Sequence, residues 1–116
     1  MIKAKICGVG VEAEFLNPDV REKYENCVEK VKESCEKATS CKRLSSSIRM
    51  QCNAVVKCLN DMFGDDCAGK VLGETTNLVA CLDAFEDFCD IYEKYVNPVV
   101  SDRAMAAKAK ASLKAG

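Results

Sequence analysis

Two stretches in the middle of the chain carry apolar residues at intervals of three and four, the spacing of one helix face. In the first, the apolar positions are Ile48, Cys52, Val55, Val56, Leu59, Met62 and Phe63; in the second, they are Leu78, Cys81, Leu82, Phe85, Phe88, Cys89 and Tyr92. Gly64 and Gly73 follow the first stretch and the linker, where helices often end on a left-handed residue. The pattern predicts a helical hairpin with a short helical elbow, and we expect Phe63 and Phe85 to be buried where the helices meet it.

Residues 2–15 show a different period, because apolar and charged residues alternate there. Alternation is typical of strands, and Cys7-Gly8 supplies a two-residue connection. The predicted register pairs residues whose apolar side chains share one face and places Lys3 opposite Glu12; the expected pairs are Ile6 with Val9, Ala4 with Val11, and Ile2 with Ala13.

A charged helix is predicted after the hairpin. Asn17, Pro18 and Asp19 provide an N-cap, a first-turn proline and a first-turn acid. Ser46 or Ser47 is expected to cap the next helix. The fold class is therefore predicted to be α+β, mostly α: an N-terminal β-hairpin, a small bundle of three to four helices, and a basic C-terminal helix or tail.

The tail begins with a second Asn-Pro pair, Asn97-Pro98, and is rich in alanine and lysine, which favour helix. It offers little apolar bulk, so it is expected to be marginal alone and to order on a partner. The predicted division is residues 1–97 as a hairpin-plus-helical domain and residues 98–116 as the basic helix or tail.

Composition and charge argue against several classes of function. The net charge is −1 with 30% charged residues, and no apolar run has the roughly 20 residues of a membrane span. The basic stretches lack interleaved aromatic residues, so nucleic-acid binding is disfavoured. No export signal is visible, so we expect a cytoplasmic protein. With no histidine, no phosphate-binding glycine loop and no nucleophile elbow, the sequence predicts neither an enzyme nor a cofactor.

Nine cysteines need an explanation. They include no CxxC pair, which a structural zinc site usually requires, and most fall on apolar helix faces. Reduced cysteines acting as small hydrophobes are the favoured interpretation. Disulfides and a metal site are the alternatives.

The stretch from Ile48 to Phe88 resembles a family of small proteins of tailed bacteriophages and prophages of Gram-positive gut bacteria. The resemblance rests on Lys5-Ile6-Cys7-Gly8 with Phe15, Asp19-Val20, Ile48 to Val55, Phe63-Gly64, Thr76-Asn77-Leu78, Cys81-Leu82 and Ala84-Phe85-Glu86. It covers residues 2 to about 95 and leaves out the basic tail. The family turn commonly has asparagine where this chain has Cys7.

The resemblance implies a tail-assembly-chaperone-like protein that binds the tape-measure protein in the cytoplasm of the bacterial host. The alternative is a phage-encoded protein that inhibits or triggers a host defence system. Its acidic stretch would mimic nucleic acid and comprises Asp83, Glu86, Asp87, Asp90 and Glu93. Both functions require a protein partner, and homo-oligomerisation is left open. The expected contacts are the edge of the first strand and the basic tail, with the candidate residues Lys3, Lys5, Ile6, Arg103, Lys108, Lys110 and Lys114.

Overall fold

The computed structural model describes residues 1–73 and 77–115. Two antiparallel strands, β1 (Ile2–Ile6) and β2 (Val9–Ala13), precede four helices, α1 (Pro18–Ala38), α2 (Leu44–Phe63), α3 (Cys67–Leu72) and α4 (Leu78–Asp90). A π-helical segment (Ile91–Val96) then leads into α5 (Asn97–Ala115). The predicted fold class is confirmed. Thr76, which contributes to the family resemblance, lies outside the described residues.

The predicted hairpin register is confirmed for all its pairs. Lys3 Nζ lies 3.7 Å from Glu12 Oε1 across the strands. The turn places both Cys7 (φ 50°) and Gly8 (φ 81°) in the left-handed region. Two consecutive positive φ angles define the turn that matches the twist of a hairpin.

One helix start follows the sequence prediction and the next does not. Asn17 Oδ1 accepts a 2.8 Å hydrogen bond from the Asp19 amide, as expected of an N-cap. Helix α2 begins at Leu44 after Arg43, so the expectation that Ser46 or Ser47 caps it was wrong. The first residues of α2 are exposed, so water can satisfy the amides that a side chain would otherwise cap.

The elbow is the short helix α3. Gly64 (φ 110°) and Gly73 (φ 74°) end α2 and α3 in the left-handed region, as predicted. Asn60 Oδ1 accepts a 2.9 Å hydrogen bond from the Ala68 amide, which ties α3 to the end of α2.

The centre of the core is an aromatic cluster supplied by the hairpin, α1, α4 and the π-helical segment: Phe15, Tyr24, Phe88 and Tyr92. Phe63 and Phe85 are only partly buried, so the expectation that both are buried beside the elbow was wrong. The reason is that Phe15 and Tyr24 meet the α4 face about one turn beyond Phe85.

Five cysteines confirm the small-hydrophobe interpretation by lying buried in the core: Cys27, Cys52, Cys58, Cys67 and Cys81. Cys7 is exposed, and Cys35, Cys41 and Cys89 are half-buried. All nine are free thiols in this structure.

Asn97-Pro98 does not start a new helix. Asn97 has helical backbone angles, and its amide bonds to the Tyr92 carbonyl five residues earlier, so α4, the π-helical segment and α5 run on continuously. A π-helical turn is wider than an α-helical one, which relieves the clash of the Pro98 ring with the preceding turn. Asn97 Oδ1 instead accepts a 2.6 Å hydrogen bond from Arg21 Nη1 of α1.

Helix α5 projects from the bundle. It has no buried residue, and its 19 residues span about 28 Å. The projection explains why the molecule measures 64 × 30 × 19 Å.

Candidate partner-binding groove

A groove of about 660 Å³ lies between β1 and the continuous helix that runs from α4 into α5. The hairpin side contributes apolar side chains from β1 and from Leu16, and the helical side contributes Ile91, Tyr95, Val96 and Val99. Tyr95 is 70% exposed and Leu16 is 50% exposed, although both are large and apolar. The groove is therefore an open apolar channel on the surface.

The hairpin is fastened to the helix at one end only. The Cys7 amide in the turn donates a 2.8 Å hydrogen bond to Asp87 Oδ2 of α4. Along β1, the exposed fraction rises from 0% at Ile6, next to the turn, to 42% at Ile2. The apolar face of the hairpin is thus covered near the turn and left open at the other end of β1.

The wall formed by β1 also carries backbone hydrogen-bonding groups. Ile6 and Val9 flank the two-residue turn and form a hydrogen-bonded pair. Because such pairs alternate along an antiparallel ladder, the N–H and C=O groups of Lys3 and Lys5 point away from β2. In the ranges that the structure describes, no other strand pairs with this edge.

The charged rim is mixed in sign. Lys94 Nζ lies 3.1 Å from Asp90 Oδ2, and this hydrogen bond raises the pKa of Lys94. At the other end of the groove, burial and then the neighbouring Asp87 carboxylate raise the pKa of the Cys7 thiol. Lys5 forms no ion pair with any described residue, so its ammonium group is available to an acidic partner.

The arrangement suits binding. Asp87 and Asp90, the two carboxylates of the groove, already accept hydrogen bonds from Cys7 and Lys94. Within the described residues, no group of three or more cysteine, aspartate or glutamate side chains is placed to hold a metal ion. What the groove presents is an apolar channel beside a row of outward-pointing backbone groups.

The structure separates the predicted site residues into three places. Lys3 and Lys5 line the groove. Ile6 is buried, with its backbone groups directed at β2, so it cannot contact a partner directly. The basic residues of the tail are all exposed on α5: Arg103, Lys108, Lys110 and Lys114.

Along α5, the charges are not evenly distributed. Arg103, Lys110 and Lys114 are spaced by seven and four residues, which places them on one side of the helix, and Lys108 lies on another. Val99 lines the groove at the start of α5. The groove and the basic helix therefore form one continuous surface.

Three residues that shape the groove were not predicted from the sequence: Ile91 and Tyr95 of the helical wall, and Leu16 opposite them. One signal was present: Leu16 interrupts the alternation of the strand directly after Phe15. No pattern along the chain shows that these residues face each other, because the two walls are separated by more than 70 residues.

A family model described as a family of unknown function, DUF6673, matches residues 7–111. The chain belongs to DUF6673. No curated protein and no solved structure matches it. The match includes most of α5. The resemblance noted from the sequence, by contrast, was expected to end near residue 95.

The family match leaves out β1 and Lys114 and includes the turn, the helical groove wall, and Arg103, Lys108 and Lys110. None of the helices in the described ranges is long and apolar enough to cross a bilayer.

Proposed function

We propose that this protein is a non-catalytic binding protein that takes up an extended segment of a protein partner along β1. The observation that carries the proposal is the open strand edge beside an apolar groove. A strand added to this edge would bond to the outward backbone groups of Lys3 and Lys5, each such bond contributing about 0.5–1.5 kcal/mol. Apolar side chains of the added segment would cover Ile2, Leu16 and Tyr95.

Helix α5 is the second part of the proposed binding surface. Its exposed apolar residues, among them Val100 (53%), Met105 (69%) and Leu113 (82%), are available to a helical partner. Its basic residues favour a partner with acidic side chains. Because all these charges are exposed to solvent, their contribution should weaken as salt is added.

The biological role that fits this surface is that of a tail-assembly-chaperone-like protein. A tape-measure protein is long and helical, and it needs its apolar surface covered until tail subunits polymerise around it. A small protein that offers a strand edge, an apolar groove and a projecting helix could cover such a chain in the host cytoplasm. The phage context comes from the family resemblance alone.

The alternative role, inhibition or triggering of a host defence system through an acidic face, receives less support from the geometry. Of the acidic residues proposed to mimic nucleic acid, Asp87 and Asp90 are engaged within the molecule. Asp83, Glu86 and Glu93 are exposed, so only these three of the five carboxylates are without a bond to the rest of the molecule among the described residues.

The test is co-expression with the tape-measure protein encoded in the same genome, comparing the parent with Tyr95→Glu. Docking of an apolar segment would bury the new carboxylate, which is unfavourable. The yield of soluble tape-measure protein should therefore fall several-fold. Val79→Glu is the matched control, because Val79 is 69% exposed on α4 and lies outside the groove, whereas Tyr95 is 70% exposed within it.

Two results would count against the proposal. Equal yields with both glutamate variants would remove the groove from the mechanism. If the parent protein itself failed to raise the yield of soluble tape-measure protein, the chaperone role would be rejected.

A further inference from the structure

Strand addition along β1, the proposed function on which this inference rests, would place the side chains of the incoming segment on two faces. Successive residues of a strand alternate between faces, and residues directly opposite each other in a ladder share one. On β1, Ile2 and Ala4 share the apolar face with buried Ile6, whereas Lys3 and Lys5 are exposed on the other face. The incoming segment must therefore match an apolar face at every second residue and a row of lysines in between.

The two lysines differ in what lies beside them. Lys3 is opposite Glu12 on β2, and its ammonium nitrogen is 3.7 Å from the carboxylate. Lys5 is opposite Gly10, which has no side chain, and it forms no ion pair with a described residue. A residue added opposite Lys5 would thus meet a positive charge that no described carboxylate compensates.

The carboxylates that line the groove do not cancel this charge. Asp90 Oδ2 pairs with Lys94 Nζ at 3.1 Å, and Asp87 Oδ2 accepts a 2.8 Å hydrogen bond from the Cys7 amide. Because the Cys7 amide follows that of Lys5 in the row of outward amides, Asp87 closes the free edge at the turn. An acid placed beyond Lys5 would face Asp87, so a preference for acids is confined to positions opposite the lysines.

The groove also limits the length of the added segment. Strand β1 has five residues, which extend over about 17 Å. The helical wall from Asp87 to Val99 rises by about 18 Å. Since the two walls have similar lengths and Asp87 closes one end, the groove accommodates about five extended residues.

The inner edge of β1 already carries a strand of the required pattern. On β2, Val11 and Ala13 are buried, and Glu12 between them is exposed opposite Lys3. A strand on the outer edge would meet the same lysines, because a side chain on a middle strand contacts neighbours on both sides. Alternation of apolar and acidic residues is therefore complementary to both edges of β1.

Strand β1 of a second copy fits the free edge poorly. In an antiparallel pair of outer edges, Lys3 and Lys5 of one copy would lie opposite the same lysines of the other. Like charges directly opposite each other destabilise a sheet, and lysines on an edge strand prevent such pairing. The charge of β1 therefore favours a different, acidic strand.

We propose that the groove selects a short extended segment of a protein partner, about five residues long, in which apolar and acidic residues alternate. The acidic residues lie opposite Lys3 and Lys5 on the solvent side. The apolar residues enter the groove between β1 and Tyr95. The backbone edge provides binding, and the two lysines provide selection by charge.

The experiment titrates the full-length protein with three blocked peptides: acetyl-Val-Glu-Val-Glu-Val-amide and the forms with glutamine or lysine in place of glutamate. Nuclear magnetic resonance follows the backbone amides of Lys3 and Lys5, which report strand addition whatever the charge of the peptide. The glutamate peptide should bind roughly tenfold more tightly than the lysine peptide, with the glutamine peptide between them. The difference should shrink as salt is added.

Charge reversal separates selection from a structural effect of substitution. Lys5→Glu should bind the lysine peptide more tightly than the glutamate peptide, which reverses the order found for the parent. Lys42→Glu, which makes the same change at an exposed lysine outside the groove, is the control and should keep the parent order. Should Lys5→Glu fail to fold, Lys5→Gln serves in its place and should reduce the preference by roughly threefold.

Two results would overturn the proposal, and they differ in what they say about strand addition. Equal binding of the three peptides, with shifts at the Lys3 and Lys5 amides, would reject selection by charge and leave the binding function in place. If no peptide shifted these amides, strand addition itself would be rejected. A dimer of the free protein that buries the Lys3 and Lys5 amides would also overturn the proposal, because a second copy would then occupy the edge.

Discussion

Tyr92 is fully buried and contacts three other aromatic rings of the core. Its ring stacks on Tyr24 with 3.8 Å between centroids, meets Phe15 edge-on at 5.5 Å, and lies 5.2 Å from the guanidinium carbon of Arg21. The hydroxyl is buried and has no hydrogen-bond partner among the described residues. Burial raises the pKa of Tyr92 to about 12. The core therefore gains a large aromatic ring and bears the cost of an unsatisfied hydroxyl.

Removing that hydroxyl should stabilise the protein. Tyr92→Phe keeps the ring, and we expect the free energy of unfolding to rise by about 1 kcal/mol. In the unfolded chain the tyrosine loses its proton at about pH 10, whereas in the folded protein it keeps the proton up to about pH 12. The unfolded state therefore binds fewer protons in this window, and the contribution of Tyr92 to stability is present below pH 10 and falls as the pH rises towards 12. Urea unfolding between pH 8 and pH 11 measures both effects.

Tyr24→Phe is the matched control. Burial and then the neighbouring Cys89 thiol raise the pKa of Tyr24, so its hydroxyl has a polar neighbour that the Tyr92 hydroxyl lacks. Tyr24→Phe should leave stability unchanged or lower it. Equal destabilisation by both substitutions would show that the Tyr92 hydroxyl has a partner.

At the scale of the element, the hairpin turn carries local strain. Cys7 adopts φ 50°, a conformation that costs most side chains free energy and that asparagine tolerates better. The interaction that ties the turn to α4 uses the Cys7 backbone amide, so it does not depend on the side chain.

Cys7→Asn should therefore stabilise the hairpin by about 0.5–1 kcal/mol, since the left-handed conformation becomes less strained. Chemical denaturation of the parent and the variant gives the difference. Gly8→Ala is the comparison and should destabilise, because Gly8 has φ 81°. A loss of stability in Cys7→Asn would indicate that the thiol itself contributes to folding.

At the scale of the whole molecule, the projecting helix α5 sets the dimensions. The radius of gyration is 17.3 Å, whereas a compact chain of this length would have about 13 Å. A helix that buries none of its own residues adds length without adding core, and this is the reason for proposing that α5 contacts a partner.

Truncation after Val100 tests whether α5 contributes to the stability of the folded chain, and it keeps Val99 in the groove. The melting temperature should change by less than about 4 °C, because no buried residue is removed. Small-angle scattering should show the radius of gyration falling towards about 13 Å. A much larger drop in melting temperature would mean that α5 folds back onto the bundle in solution. Partner binding by the truncated protein should weaken, and the difference from the parent should be greatest at low salt.

Part of this architecture follows from the amino-acid sequence because it depends on neighbours in the chain. The register of the hairpin follows from alternation and a two-residue turn, the start of α1 follows from Asn17 and Pro18, and the ends of α2 and α3 follow from Gly64 and Gly73. Each of these features is decided by hydrogen bonds and backbone angles within a few residues. Of the candidate site, the sequence likewise predicted the strand edge with Lys3 and Lys5.

Only the tertiary structure decided what lies opposite that edge and where the core is centred. Phe88 and Tyr92 are central because Phe15 and Tyr24 pack against that turn of α4 and the π-helical segment, whereas the periodicity of α4 treats Phe85 and Phe88 alike. The groove exists because the hairpin is fastened at Cys7 and opens towards Ile2. Apolar periodicity identifies the face of an element that must be buried, but the partner that buries it is chosen by packing between distant segments.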